Sequence, residues 1–295
     1  MKLAIVGYGN LGKSLEKEIN ARQDVSLTAI YSRRTLDNPL YRPMETLNGG
    51  ADFDAALIAL GSFSDVMTYA DKFANINTVD SFDTHEKIAE YKRLLNERKK
   101  DGLSVISTGW DPGLLSLARG LFGFNGAHTV TVWGEGVSQG HSNAIRSVEG
   151  VLDGIQFTVP KDDCEQLIQK GEYDSTRLHR RVCYVAAVES DKERIEREIK
   201  AMPRYFDGYE TVVNFVSVQE VKQLKKRVGH SGRVITQGCG FTAKTEVMLD
   251  SNAEFTAKIM LRYALAIPQL LADGYRGALD LFDIPMKYIA DCKVI

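Results

Sequence analysis

The chain has 295 residues, which at roughly 150 per domain gives two domains or one large one and excludes a mini-protein or an isolated recognition module. Lysine and arginine total 37 against 39 aspartates and glutamates, a formal charge of −2 with the two signs interspersed, so nothing favours a nucleic-acid partner. Hydrophobic residues make up 44% and charged residues 26%, proportions of a folded globular chain that exclude large-scale disorder.

Met1-Lys2 leads into one short apolar run, Leu3 to Val6, too brief for the apolar core of a signal peptide, so export is not expected. In the first third, short apolar runs alternate with helical patterns, the signature of βαβ units and a parallel sheet. The spacing predicts strands at Leu3–Val6, Leu27–Tyr31, Ala56–Leu60, Thr78–Val79 and Leu103–Ile106. Between them it predicts helices at Leu11–Ala21, Asp65–Asn75 and Thr84–Lys99, the last with Ile88, Tyr91, Leu94 and Leu95 on one face. After Pro112 the runs lengthen and alternate with polar residues, as strands of an antiparallel sheet do: His128–Trp133, Ile155–Val159, Val182–Glu189, Val212–Val218, Val234–Thr236 and Thr242–Leu249. A helix from Lys192 to Ala201 interrupts this series, and Gly238 and Gly240 mark a turn. The most apolar long segment, Ala253–Ala272, carries Glu254, Lys258, Arg262 and Gln269, and reads as an amphipathic helix packed on protein rather than a membrane span. Cys164, Cys183, Cys239 and Cys292 lie too far apart for a zinc or redox pair and are expected as free buried thiols in a reducing cytoplasm. The five histidines show no ligand spacing, so no metal is expected.

Gly7, Gly9 and Gly12 form G-x-G-x-x-G between the first strand and the first helix, the context that gives this pattern its weight. Gly7 permits the tight turn, Gly9 lets backbone approach a pyrophosphate, and Gly12 lets helix and strand pack closely, with the phosphates at the helix N-terminus. The second strand ends in Tyr31-Ser32-Arg33-Arg34, about 20 residues on, where proteins that bind NAD usually place an acid for the ribose 2′-hydroxyl. A hydroxyl and two guanidinium groups suit a 2′-phosphate instead, which favours NADP. Arg33 is expected to be the phosphate ligand and Arg34 to lie over the adenine, although one of the pair reads equally as a solvated loop charge.

Three polar stretches follow at strand ends. The first, Asp80-Ser81-Phe82-Asp83-Thr84-His85, contains Asp83, which reads equally as the N-cap of the next helix with Glu86 completing a capping box. In Ser107-Thr108-Gly109-Trp110-Asp111-Pro112-Gly113, Asp111 is either a turn residue or, with Asp83, one of two carboxylates able to hold a cationic amine. An amino-acid substrate follows. The third stretch, Trp133 to Ser142, is an aromatic, glycine-rich turn. Arg181 at a strand start and His230 in a glycine-flanked turn are candidates to meet a substrate carboxylate, against a plain reading as surface charge or core. Capping alone accounts for Asn252.

Together these motifs resemble one family along essentially the whole chain, the NADP-dependent meso-diaminopimelate dehydrogenases. The resemblance runs through Val6-Gly7-Tyr8-Gly9-Asn10-Leu11-Gly12, Ser32-Arg33-Arg34, Val79-Asp80-Ser81-Phe82-Asp83, Ser107 to Gly113, Ser138-Gln139-Gly140-His141-Ser142 and Leu249-Asp250-Ser251-Asn252. It implies reversible oxidative deamination of the D-centre of meso-2,6-diaminopimelate to L-2-amino-6-oxopimelate, ammonia and NADPH, in a cytoplasmic homodimer serving lysine and cell-wall precursor metabolism. It places Asp83 and Asp111 near the reacting amine, with Trp110 and Trp133 shaping the pocket. It assigns the L-amino-acid end of the substrate to Gln139, Gly140, Thr158, Arg181, His230 and Asn252. Tyr8, Asn10, Leu11, Ala59, Leu60, Gly61, Ser62, Ser81, Phe82, Asp83, Thr108, Gly109, Trp110, Asp111 and Pro112 would run beside the cofactor with the glycines and Ser32, Arg33 and Arg34. The expected fold is α/β: a Rossmann-type parallel-sheet domain, residues 1–117 and 251–295, with an inserted α+β substrate-binding and dimerisation domain, residues 118–250, built on a mainly antiparallel sheet.

Three features depart from the family pattern: Glu135 where proline is common, Phe63 in place of a smaller residue, and a shorter stretch between Val221 and His230. Two other readings compete, a dehydrogenase of another amino acid of aspartate or saccharopine type, and a redox sensor that binds NADP without turnover.

Overall fold

A computed structural model describes residues 1–48, 52–62, 65–99, 101–226 and 229–290; Phe63 and Cys292 lie outside the described residues. The chain divides into two compact units, Met1–Leu117 with Ala253–Ile295, and Ala118–Asn252.

In the first unit, strands β1 (Lys2–Val6), β2 (Ser26–Ser32), β3 (Tyr41–Pro43), β4 (Ala55–Ile58), β5 (Thr78–Asp80) and β6 (Leu103–Val105) form one parallel sheet in the order β3-β2-β1-β4-β5-β6. A C-terminal strand, Gly277–Leu279, adds parallel to β6. The order reverses between β1 and β4, which creates a crevice at the carboxyl ends of those strands. Side chains alternate across the sheet. Leu3, Ile5, Ile30, Leu57 and Val105 face helix α1 (Asn10–Asn20) and the C-terminal helix Asn252–Ala272, through Leu15, Ile19, Ala257, Met260, Ala264 and Ile267. Ala4, Val6, Ala29, Ala56 and Ile58 face Phe73, Tyr91 and Leu95 on the other side. Burial on both faces explains why these strands read as unbroken apolar runs.

Two expected helices are shorter than their patterns. The stretch 65–75 is helix α2 (Asp65–Thr68) followed by a 3-10 turn, Ala70–Phe73, because the Tyr69 N–H is shared between the Asp65 and Val66 carbonyls at 3.3 Å each. The stretch 84–99 opens with a 3-10 turn, His85–Lys87, and becomes helix α3 only from Ile88 to Arg98. The edge strands β3 and Gly277–Leu279 had no apolar run long enough to announce them. Helix α4 (Leu114–Phe122) carries the chain from the first unit into the second.

The second unit contains two sheets, not the single antiparallel sheet expected. Strands β7 (His128–Trp133), β12 (His230–Gly238) and β13 (Phe241–Leu249) form one, all antiparallel. Strands β8 (Gly136–Val137), β9 (Val151–Pro160), β10 (His179–Ala187) and β11 (Glu210–Phe215) form the other. In it β11 runs parallel to β10, because helix α5 (Lys192–Lys200) is a crossover connection and not an interruption. Ile195 and Ile199 on this helix pack with Cys183, Val185 and Phe206. His230 opens β12 and pairs with Leu249; it is not in a turn, since the glycines beside it are strand or strand-flanking residues. Cys164 and Cys183 are buried free thiols, but Cys239 is exposed, at φ 51° in the β12–β13 hairpin. Among the described residues no helix is long and apolar enough to cross a membrane, and no group of three or more His, Cys, Asp or Glu side chains is placed to hold a metal ion.

Candidate functional site

The glycine loop leaves β1 at the crevice. Gly7 has φ 98°, and a Cβ there would lie 2.5 Å from the Ala59 carbonyl oxygen. A Cβ on Gly12 would lie 2.2 Å from the Gly7 carbonyl oxygen, so helix α1 can sit this close to β1 only with glycine at that position. A Cβ on Gly9 would meet nothing within 4 Å, which leaves its backbone open to an approaching group. No side chain caps α1, so its first-turn N–H groups point past Gly9 with no acceptor from a capping residue, an arrangement that favours an anion. Tyr8 turns its hydroxyl to Glu16, which also accepts from Asn38 Nδ2.

At the end of β2, buried Ser32 accepts the Arg34 backbone N–H through Oγ at 3.1 Å. Arg33 forms a forked pair with Asp65 at the start of α2, at 3.2 and 2.6 Å. The guanidinium expected to meet a phosphate is thus already held by a carboxylate that the sequence reading did not link to it. The loop after β4 begins with the Ala59 N–H donating to the Val6 carbonyl at 2.7 Å, and Ser62 Oγ accepts the Asp83 N–H at 3.1 Å. Asp83 is exposed and is not an N-cap, because the following 3-10 turn starts after Thr84 and has no side-chain cap.

Trp110 to Gly113 form a tight turn in which Leu114 and Leu115 donate to the Gly109 and Trp110 carbonyls at 3.1 and 2.9 Å. Gly113, at φ 143°, is required there, since a Cβ would lie 1.7 Å from the Gly109 carbonyl oxygen. The Asp111-Pro112 peptide is cis.

In the second unit, Thr158 on β9 and Arg181 on β10 are cross-strand partners, and Gly136 on β8 pairs with Thr158 from the other side. Arg181 is only 7% exposed. Its Nη1 donates to Thr158 Oγ1, and its guanidinium lies 4.0 Å from the centre of the Tyr209 ring. Its Nε is buried without a hydrogen-bond partner, and none of the ion pairs among the described residues includes it. Burial therefore works against this charge with no carboxylate to offset it. His230 packs on Gly136, where a Cβ would lie 2.9 Å from its ring, and its Nε2 is 2.7 Å from the Val137 carbonyl oxygen. The Trp133 N–H donates to His179 Nε2 at 3.0 Å, while Nδ1 of the same ring lies 3.0 Å from the Ser175 carbonyl oxygen, so His179 is a neutral imidazole protonated on Nδ1. Gln139 and Gly140 occupy the first turn of a helix, Gln139–Arg146, N-capped by Ser138. Asn252 opens the C-terminal helix. The structure thus gathers Trp133, Thr158, Arg181 and His230 around the short strand β8, while Asp83, Trp110 and Asp111 belong to the first unit. Glu135 lines a cleft of about 400 Å³ with Val132, Val159, Arg180 and Arg233, residues that alternate with Trp133, Thr158 and Arg181 along their strands.

His179 and Tyr209, beside Trp133 and Arg181 in the second unit, and Asp65 and Asp80, bonded to Arg33 and Phe82 in the first, were not singled out individually from the sequence. Only Asp80, in a polar strand end, carried any local signal.

The buried imidazoles predict acid sensitivity. Burial pushes His179 down to about 4, and burial with the nearby Arg181 charge pushes His141 down to about 3. The unfolded chain binds these protons near the ordinary value of about 6.5, so folding loses stability as pH falls below that value, by about 2 kcal/mol per histidine at about pH 5. Buried Asp80, pushed up to about 6, acts in the opposite sense, because the folded chain takes up its proton first; it returns about 1 kcal/mol over the same interval. The histidines dominate. The urea midpoint at pH 5 is expected well below that at pH 7, and an equal midpoint would contradict neutral burial of the two rings.

A doubly wound parallel sheet with a glycine loop at its switch point, followed by an α+β unit with a buried arginine that no carboxylate pairs among the described residues, defines a two-unit protein of the dinucleotide-binding class. Residues 109–257 match the diaminopimelic acid dehydrogenase C-terminal domain family. The meso-diaminopimelate D-dehydrogenase of Acetivibrio thermocellus is 41% identical over 98% of this chain and 94% of its own. The solved structure of the Corynebacterium glutamicum DAP dehydrogenase in complex with DAP superposes with a TM-score of 0.88 at 35% identity, covering 99% of this chain and 96% of that one. An engineered D-amino acid dehydrogenase bound to NADP+ is 33% identical with a TM-score of 0.82, over 100% and 97% of the two chains. The chain belongs to the diaminopimelate dehydrogenase family and is an amino-acid dehydrogenase.

Proposed function

We propose that this chain catalyses the NADP-dependent, reversible oxidative deamination of meso-2,6-diaminopimelate at its D-centre, giving L-2-amino-6-oxopimelate, ammonia and NADPH. The observation that carries the reading is the buried, unpaired Arg181 beside Thr158, a built receptor for a carboxylate. Thr158, Arg181 and His230, with Gln139, Gly140 and Asn252, hold the L-amino-acid end, which does not react. Asp83 and Asp111 attract the D-ammonium group, Trp110 and Trp133 are further substrate contacts, and binding energy from the end that does not react helps to orient the reacting carbon.

The first unit fits a dinucleotide. Gly9 leaves space for a pyrophosphate, the uncapped N-terminus of α1 faces it, and Arg33 and Arg34 supply cations for a 2′-phosphate. A bound dinucleotide would supply the hydride acceptor for the D-α-carbon. The protein's own contribution is to keep the loops 59–62, 81–83 and 108–112 beside that reaction and to hold the amine with carboxylates while water attacks the substrate imine. A homodimer is supported by β13, an edge strand of its sheet whose Met248 is 79% exposed. A cytoplasmic setting is supported by the free thiols Cys164, Cys183 and Cys239.

The test is incubation with NADP and meso-diaminopimelate. NADPH and ammonia are expected in equal amounts; folded protein that forms neither would contradict the proposal, and turnover of aspartate or saccharopine instead would favour the rival class.

A further inference from the structure

The β5–β6 ladder ends at Val79 and Val105, just short of the loops that carry Ser81–Asp83 and Thr108–Pro112. One side chain continues the connection. Asp80 Oδ1 accepts the N–H groups of Phe82 and Ser107, both at 3.0 Å, and Oδ2 accepts the Tyr91 hydroxyl of α3 at 2.9 Å. Its carbonyl oxygen also accepts the Thr108 N–H at 2.9 Å and the Thr108 hydroxyl at 2.8 Å. Asp80 is 1% exposed and Tyr91 is fully buried, with its ring stacked on Phe82 at 4.5 Å.

The bond to Phe82 alone would be a local turn, which aspartate makes readily. The bonds to Ser107 and Tyr91 reach 27 and 11 residues along the chain, and no turn requires them. Ser107 is itself held at φ 57°, a conformation that costs an L-residue energy and persists only where its surroundings enforce it. A buried carboxylate is also costly unless its bonds are needed.

We propose that Asp80 is a positioning residue for the reaction, a buried link that fixes the Asp83 loop and the Trp110-Asp111 loop relative to one another and anchors both to α3. This rests on the function proposed above. Asp80 touches neither substrate nor cofactor; it acts through the places of Asp83, Trp110 and Asp111. A displacement of about 1 Å in a reacting array costs up to about a hundredfold in rate, so losing this link should show in turnover before it shows in cofactor affinity.

The test uses the full chain with Asp80→Ala, Asp80→Asn and Tyr91→Phe. Asp80→Ala is expected to lower kcat on meso-diaminopimelate by about tenfold to a hundredfold. Its NADP affinity should fall by less than kcat, because the pyrophosphate and 2′-phosphate contacts expected at Gly7–Gly12 and Arg33–Arg34 make no bond to Asp80, although the 81–83 and 108–112 loops also run beside the cofactor. Asparagine keeps an oxygen for both loop N–H groups, so Asp80→Asn should restore kcat to within about threefold of wild type. A second readout needs no turnover. In a Trp133→Phe background Trp110 is the sole tryptophan, and acrylamide should quench it more in Asp80→Ala than in Asp80→Asn. A folded Asp80→Ala with wild-type kcat and quenching overturns the proposal, and so does equal loss in the alanine and asparagine variants. If Asp80→Ala does not fold, Tyr91→Phe decides: a kcat lowered by about threefold or more at unchanged NADP affinity supports the link, and wild-type kcat overturns it. Absence of turnover in the wild type would instead reject the substrate assignment, while Trp110 quenching would still decide the role of Asp80.

Discussion

Replacing Arg181 with methionine is expected to raise KM for meso-diaminopimelate about a hundredfold or more, with NADP affinity unchanged, because two or more charge-assisted hydrogen bonds to a carboxylate contribute about 3 kcal/mol or more. The same variant is expected to be at least as stable as the wild type. Arg181 is buried, and its environment supplies a hydroxyl and an aromatic face but no carboxylate among the described ion pairs, so its charge lowers stability in the ligand-free chain. An apolar side chain of similar length removes that cost. These opposite signs separate a binding residue from a structural one. A structural arginine would lower stability on removal and leave KM for the substrate near its starting value.

The second large effect concerns cofactor choice. Arg33→Ala with Arg34→Ala should weaken NADP by about a hundredfold to a thousandfold while changing NAD far less, since charged hydrogen bonds of about 1.5–3 kcal/mol each are lost only with the 2′-phosphate. The Asp65 pair sharpens this. Asp65 holds Arg33 at 2.6 Å, and without that arginine its negative charge near the end of β2 is no longer offset by the guanidinium, at a place where an acid repels phosphate and can accept a ribose hydroxyl. Arg33→Ala alone should therefore shift preference toward NAD more than Arg34→Ala alone. The ratio of kcat/KM for the two cofactors measures it, and equal losses for NADP and NAD would remove this account of cofactor choice.

The parallel sheet was legible because its central strands are buried on both faces and so read as apolar runs between helical patterns. The glycine loop was legible for a related reason: Gly7 and Gly12 are fixed by steric contacts within a few residues of their own positions or with the adjacent strand. The second unit was read less well. Alternation marks a strand but does not say which sheet it joins, and the parallel pairing of β11 with β10 depends on the path of a crossover helix. The links made by His179 to Trp133, by Asp65 to Arg33 and by Asp80 to Ser107 span 46, 32 and 27 residues. No local pattern encodes such a distance, so His179 and Asp65 looked ordinary in sequence, and Asp80 was marked only by the polar strand end it belongs to. Asp83 shows the converse: a capping box was locally consistent with Glu86, yet the chain forms a 3-10 turn there and leaves the carboxylate exposed.

In the proposed reaction the D-centre reacts while Arg181 and its neighbours hold the L-centre. Meso-diaminopimelate carrying deuterium on one α-carbon at a time tests it directly. Label at the D-centre should appear in the NADPH formed and slow the hydride step, and label at the L-centre should remain in the 2-amino-6-oxopimelate product. Transfer from the L-centre, or from both centres equally, would contradict the account.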